Sequence, residues 1–115
     1  KSLIKVALEA EQETISLIKP GVVAKDVANK NRESITNKGY GEYIVYGPCH
    51  GTGLMECEPP WVETTSNWKF TENMVFCVDI FLRGPDIGVR FEDGIRVTRH
   101  GAEKLFDYGA QILCL

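Results

Sequence analysis

Met74-Val75-Phe76-Cys77-Val78-Asp79-Ile80-Phe81-Leu82 is an apolar run of strand length broken by one carboxylate. After a turn at Gly84-Pro85-Asp86 comes Val89-Arg90-Phe91-Glu92-Asp93-Gly94-Ile95-Arg96-Val97-Thr98. This second run alternates, with Val89, Phe91, Ile95 and Val97 facing one way and Arg90, Glu92, Gly94 and Arg96 the other. A turn centred between Pro85 and Asp86 folds the two into an antiparallel hairpin that sets Asp79 opposite Glu92. Like charges facing each other across a ladder destabilise it. A carboxylate in an apolar strand is costly unless it is paired, protonated or bound to a cation. Two solutions stand open: a divalent cation shared by Asp79 and Glu92, or an ion pair from Asp79 to Arg90 or Arg96 on the face of Glu92.

Upstream, Gly47-Pro48-Cys49-His50-Gly51-Thr52-Gly53-Leu54-Met55-Glu56-Cys57-Glu58-Pro59-Pro60 brings an imidazole into play. Residues 50–54 carry two glycines and read as a short strand where backbone approaches something closely. Cys57 is a candidate reactive thiol without an orienting partner beside it. Glu56 and Glu58 flank it, each either a loop carboxylate or a proton shuttle. His100, before Gly101, reads as an exposed turn residue.

The remaining chain gives the fold class. Leu3, Ile4, Ala7, Leu8, Ile15 and Ile18 recur at helical spacing, so Leu3 to Ile18 is an amphipathic helix that Pro20-Gly21 stops. A second helix runs from about Ala24 to Asn37, with Gly39 placed as its left-handed C-terminal cap. Tyr40 to Tyr46 has strand character, Glu58 to Lys69 reads as a long loop, and Ala102 to Leu105 reads as a helical turn. The tail, Ala110 to Leu115, is a last strand or loose. The expectation is an α+β fold over residues 1–115, two N-terminal helices followed by an antiparallel sheet.

Bulk composition narrows the function. The chain has 115 residues, 43% hydrophobic and 25% charged, with a net charge of −3 and no basic run. That leaves no electrostatic case for nucleic acid or an anionic membrane, and no apolar run is long enough to span a bilayer. Cys49, Cys57, Cys77 and Cys114 contain no Cys-x-x-Cys pair, so a zinc finger fails on spacing. With no secretory signal, free thiols and a cytoplasmic location are expected. The chain begins at Lys1 rather than Met, so a natural N-terminus is expected to lie upstream.

The order of these segments resembles a known family. His50-Gly51-Thr52-Gly53-Leu54, then Glu58-Pro59-Pro60, then Met74-Val75-Phe76-Cys77-Val78-Asp79, then Val89-Arg90-Phe91-Glu92-Asp93 follow its pattern. Lys19-Pro20-Gly21 upstream, and Val97-Thr98 with Gly101-Ala102-Glu103 downstream, follow it too. The family is that of the pita-bread metallopeptidases, aminopeptidase P, prolidase and methionine aminopeptidase, whose fold creatinase shares.

The resemblance implies the C-terminal portion of a pita-bread domain and a dinuclear centre of divalent ions, manganese, cobalt, zinc or iron. His50 would be the imidazole ligand, Asp79 a carboxylate ligand where the family more often has Glu, and Glu92 the bridging carboxylate. Two further aspartates of such a centre would precede the first helix, so this chain alone would bind metal weakly or not at all and show no turnover. Cys57 stands where the peptidases usually carry a second His, and with Glu58 it is the candidate catalytic pair. The implied activity is that of a Xaa-Pro-type aminopeptidase or dipeptidase acting on a peptide or small amide. The alternatives are a catalytically silent binding module and a creatinase-like enzyme that is not a peptidase. Uncovered sheet edges lead to an expected homo-oligomer.

Overall fold

A computed structural model of the chain describes residues 2–106. Helix α1, Leu3–Leu17, starts at Ser2, whose side chain accepts from the Lys5 amide. Its buried stripe is Val6, Ala7, Ala10, Glu11 and Thr14, all at helical spacing. Helix α2, Ala24–Asn37, has no side-chain cap. Its first amides instead reach the loop carbonyls of Trp68 and Ser66, which satisfies donors that a helix start leaves orphaned. Gly39 ends it at φ 90°, a conformation that costs glycine little. Between the helices the Asn31 amide donates to Thr14 Oγ1, which donates in turn to the Ala10 carbonyl, so the buried polar groups there are satisfied.

Among the described residues five antiparallel strands form one sheet: β1 Cys49–Gly51, β2 Glu58–Val62, β3 Val75–Arg83, β4 Gly88–Val97 and β5 Ala102–Lys104. Their spatial order is β2-β1-β3-β4-β5. The β3–β4 register pairs Asp79 with Glu92 and Cys77 with Gly94, as the turn at Pro85-Asp86 requires. Phe76, Val78, Ile80 and Leu82 of β3 are buried with Val6, Ala7, Ala10 and Val27 of the helices, in one core. Cys77, Asp79, Arg90, Glu92 and Arg96 therefore project from the opposite face.

Four expectations are corrected. Tyr40–Tyr46 is not a strand: Gly41–Tyr43 forms a 3₁₀ turn, and only Ile44 bridges to Leu82. Its aromatic character goes into an edge-on Tyr40–Tyr43 contact rather than a ladder. The segment read as a loop from Glu58 contains β2, an edge strand. Pro59 and Pro60 are tolerated because they fall in the register shift between the Trp61 and Glu58 pairings, where no ladder amide is needed. Ala102–Lys104 is a strand, not a helical turn, because Thr98 closes a tight turn through its amide to Gly101 O and its Oγ1 to the Gly101 amide. The short strand placed at residues 50–54 is Cys49–Gly51, and Gly51 does mark a close approach, since a Cβ there would lie 2.6 Å from Pro59 O. The expectation for Ala110 to Leu115 lies outside the described residues.

Candidate metal centre

The centre forms on the face of the sheet that the helices leave open. His50 on β1 is the direct partner of Cys77 on β3, and Asp79 stands two residues further along the same strand and face. Glu92 on β4 faces Asp79. Strand pairing thus collects an imidazole, a thiol and two carboxylates from three neighbouring strands. His50 Nε2 lies 3.4 Å from Glu92 Oε1 and 3.8 Å from Asp79 Oδ2. His50 and Asp79 are buried, at 6% and 2% exposed.

The imidazole is oriented by its own backbone. His50 Nδ1 lies 3.0 Å from Gly51 O, and a carbonyl can only accept, so Nδ1 carries the proton. In the neutral imidazole that directs the Nε2 lone pair at the carboxylates, the arrangement second-sphere bonds impose on metal-binding histidines. The residues present therefore fit a divalent cation.

A cationic side chain is already there. Arg90 Nε donates to Asp79 Oδ1 and Nη2 to Asp79 Oδ2, both at 2.8 Å, and Nη2 also reaches Glu92 Oε2 at 3.0 Å. The guanidinium, bridging both carboxylates, offsets part of the like-charge penalty of the Asp79–Glu92 pairing. Of the two arginines that parity allowed, Arg90 takes Asp79, while Arg96 pairs with Glu103 at 2.7 Å. The Tyr46 hydroxyl donates to Asp79 Oδ2 at 2.6 Å. Burial, then that bond, raises the Tyr46 hydroxyl well above its ordinary range, so it stays a donor. The bond to Asp79 likewise raises Arg90 above its usual range and keeps it charged. Burial first and the Glu92 carboxylate second push the Cys77 thiol up to about 11. Burial raises Cys49 further still, and its thiol faces the core.

Above these groups opens a cavity of about 340 Å³, whose lining includes Tyr46, His50, Cys57, Trp61, Asp79 and Arg90. Cys57 is exposed at its margin. Glu58 is turned into its own loop, where its carboxylate accepts the Met55 amide at 3.0 Å and a Cβ on Gly53 would press on it. His100 is exposed in the β4–β5 turn. Tyr46, Trp61 and Cys77 were not singled out by sequence reasoning. Only Cys77 had a legible signal, because it shares the face of Asp79 by strand parity.

Among the described residues no helix is long and apolar enough to cross a membrane. The sequence pattern of metallopeptidase family M24 matches residues 1–99. The chain is 43% identical over 109 residues to an uncharacterized peptidase of Staphylococcus saprophyticus, covering 94% of this chain and 31% of that protein. The Xaa-Pro dipeptidase from Bacillus anthracis superposes with a TM-score of 0.91 at 32% identity, covering 98% of this chain and 32% of that one. The prolidase from Pyrococcus horikoshii does so with a TM-score of 0.84 at 35% identity, covering 90% and 30%. The chain spans about a third of the length of these proteins.

Proposed function

The chain belongs to metallopeptidase family M24, and on that footing we propose that it supplies part of the active centre of a Xaa-Pro-type dipeptidase or aminopeptidase. Its helices and antiparallel sheet are a portion of the pita-bread fold. The observation that carries the reading is the convergence of His50 Nε2 on Glu92 and Asp79 at 3.4 and 3.8 Å beneath an open cavity.

His50, Asp79 and Glu92 would hold divalent ions, manganese, cobalt, zinc or iron, together with two carboxylates from outside these residues. Such ions, when bound, supply Lewis acidity and an activated water. The chain's own residues do the rest. Glu92, whose Oε1 lies 3.4 Å from His50 Nε2, would hold a proton released at the site. Arg90 and Tyr46 hold Asp79 in place beside His50, and Arg90 would have to swing off its oxygens for an ion to bind there. Trp61 gives the peptide or small amide substrate an apolar wall. Cys57, at the cavity margin, is a weaker hydrogen-bond donor than the His the family usually has there. Glu58 serves as proton shuttle only after leaving the Met55 amide. The reading includes a cytoplasmic location and a homo-oligomer, the latter supported by the exposed Trp61, Leu105 and Phe106 near the outer strands β2 and β5.

One observation favours a second reading, a catalytically silent pita-bread module: Arg90 occupies both oxygens of Asp79. A creatinase-like enzyme acting on another amide is the remaining variant. Calorimetric titration of the chain with manganese, cobalt and zinc tests the metal reading. Weak binding that is lost in His50→Ala is expected, whereas tight binding of two ions by these residues alone would refute the shared centre. Chelator-sensitive cleavage of a Xaa-Pro dipeptide by the longer protein separates enzyme from silent module.

A further inference from the structure

The carboxylate at position 79 is the family-like donor, yet it is the one whose oxygens are most fully engaged. Asp79 Oδ1 accepts from Arg90, and Oδ2 accepts from both Arg90 and Tyr46. A cation binding there must displace a bidentate guanidinium from a buried carboxylate, which is among the stronger pairings a protein makes. Beside it stands a group with no such engagement. The Cys77 thiol is partly buried, on the same face of β3, and hydrogen-bonds to Glu92.

We propose that Cys77, with His50 and Glu92, forms a three-donor site for one borderline-soft divalent ion, zinc or cobalt rather than manganese. This deepens the metal reading above and rests on it, but changes the donor set. The ligand atoms of His50, Cys77 and Glu92 all lie within 4.8 Å of one another, and among the described residues they are the cluster with that property. Strand pairing explains why: His50 and Cys77 are Cα partners, and Glu92 is one diagonal step away on β4 from Gly94, the partner of Cys77. A tetrahedral zinc with bonds of about 2.0–2.1 Å to nitrogen and oxygen sets those two ligands about 3.4 Å apart. His50 Nε2 and Glu92 Oε1 already stand at 3.4 Å. One thiolate, one imidazole and one carboxylate select zinc or cobalt over manganese or magnesium. Three protein ligands would leave the fourth position of a tetrahedral ion to a water or substrate, as in catalytic rather than structural sites. On binding, the S–H bond of Cys77 breaks, its proton passes to solvent, and the sulfur lone pair forms the bond to the ion.

Cobalt titration of the reduced chain, followed in the near-ultraviolet where thiolate-to-cobalt charge transfer absorbs, tests this directly. The expected result is a saturable band with a stoichiometry of one ion per chain that is competed away by zinc and persists in Cys57→Ser. Cys77→Ser should lack the band and bind cobalt at least about tenfold more weakly, since losing a donor costs no less than losing an outer partner of one. Should both Cys77→Ser and Cys77→Ala fail to fold by circular dichroism, zinc protection of Cys77 against alkylation in the unmodified chain replaces them. Cobalt bound through His50 without the band, or with a band that survives Cys77→Ser, overturns the Cys77 assignment and leaves the metal reading standing. No binding of either ion overturns the Cys77 site, whereas cleavage by the longer protein that survives a chelator overturns the metal reading.

Discussion

Replacing Glu11 by Gln should make the chain more stable at mildly alkaline pH and leave it nearly unchanged in mild acid. Glu11 is 1% exposed on the inner face of α1, against Asp93 of β4 and Lys104 of β5. Its Oε2 has no hydrogen-bond partner, and the Lys104 ammonium, 3.9 Å away, is already committed to Asp93. Burial first and the Asp93 carboxylate second raise Glu11 from 4.5 to about 7. Because the folded state holds this proton more tightly than the unfolded chain, the group's contribution is fully present below about pH 4.5. It is lost as pH rises through about 7. At 1.36 kcal/mol per pH unit, the displacement from 4.5 to about 7 corresponds to a ceiling of about 3 kcal/mol. Coupling with Asp93 spreads that over the pair. Gln keeps the shape, donates to Asp93 and cannot ionise. Urea unfolding with chelator present should show Glu11→Gln more stable by about 2 kcal/mol at about pH 8 and within error of the parent at about pH 5. A stability difference that stays constant across that range would refute the reasoning, because only a titrating Glu11 makes it depend on pH.

Two further outcomes follow from the same geometry. Arg90→Leu leaves a buried Asp79 carboxylate facing Glu92 and should cost about 2 kcal/mol, below the fully buried case because Arg90 is half-exposed. Adding Asp79→Asn should recover most of that loss in a urea midpoint, and no recovery would mean that Arg90 acts through packing instead. Gly51→Ala drives a methyl to 2.6 and 2.8 Å from the Pro59 and Glu58 carbonyl oxygens of β2, so a loss of about 2 kcal/mol is expected. A neutral thermal melt for that variant would show the β1–β2 edge to be looser than its register suggests.

Much of the fold was legible because local periodicity is written into the chain. The α2 bounds, the β3–β4 hairpin and the Asp79–Glu92 pairing all follow from spacing and one turn, and the structure has them. The segments that sequence reasoning misplaced are those where tertiary contacts override local preference. Prolines suggested a loop at 58–60, but an edge strand tolerates them at a register shift. The aromatic run after Gly39 favoured a strand, yet only Ile44 finds a ladder partner.

The site divides the same way. The residue types and their order were enough to name His50, Asp79 and Glu92 as candidate ligands, because parity puts the two carboxylates on one face. Which arginine reaches Asp79 was open in the sequence, since Arg90 and Arg96 share that face. Three-dimensional packing decided it: Arg96 is drawn to Glu103 across β5, and Arg90 alone reaches Asp79 in bidentate geometry. Asp93 shows the same limit from the other side. Its charge interrupts the apolar face of β4, but only the docking of α1 supplies the Glu11 that shares its burial. Periodicity fixes which face a side chain takes, whereas its partner is set by elements distant in sequence.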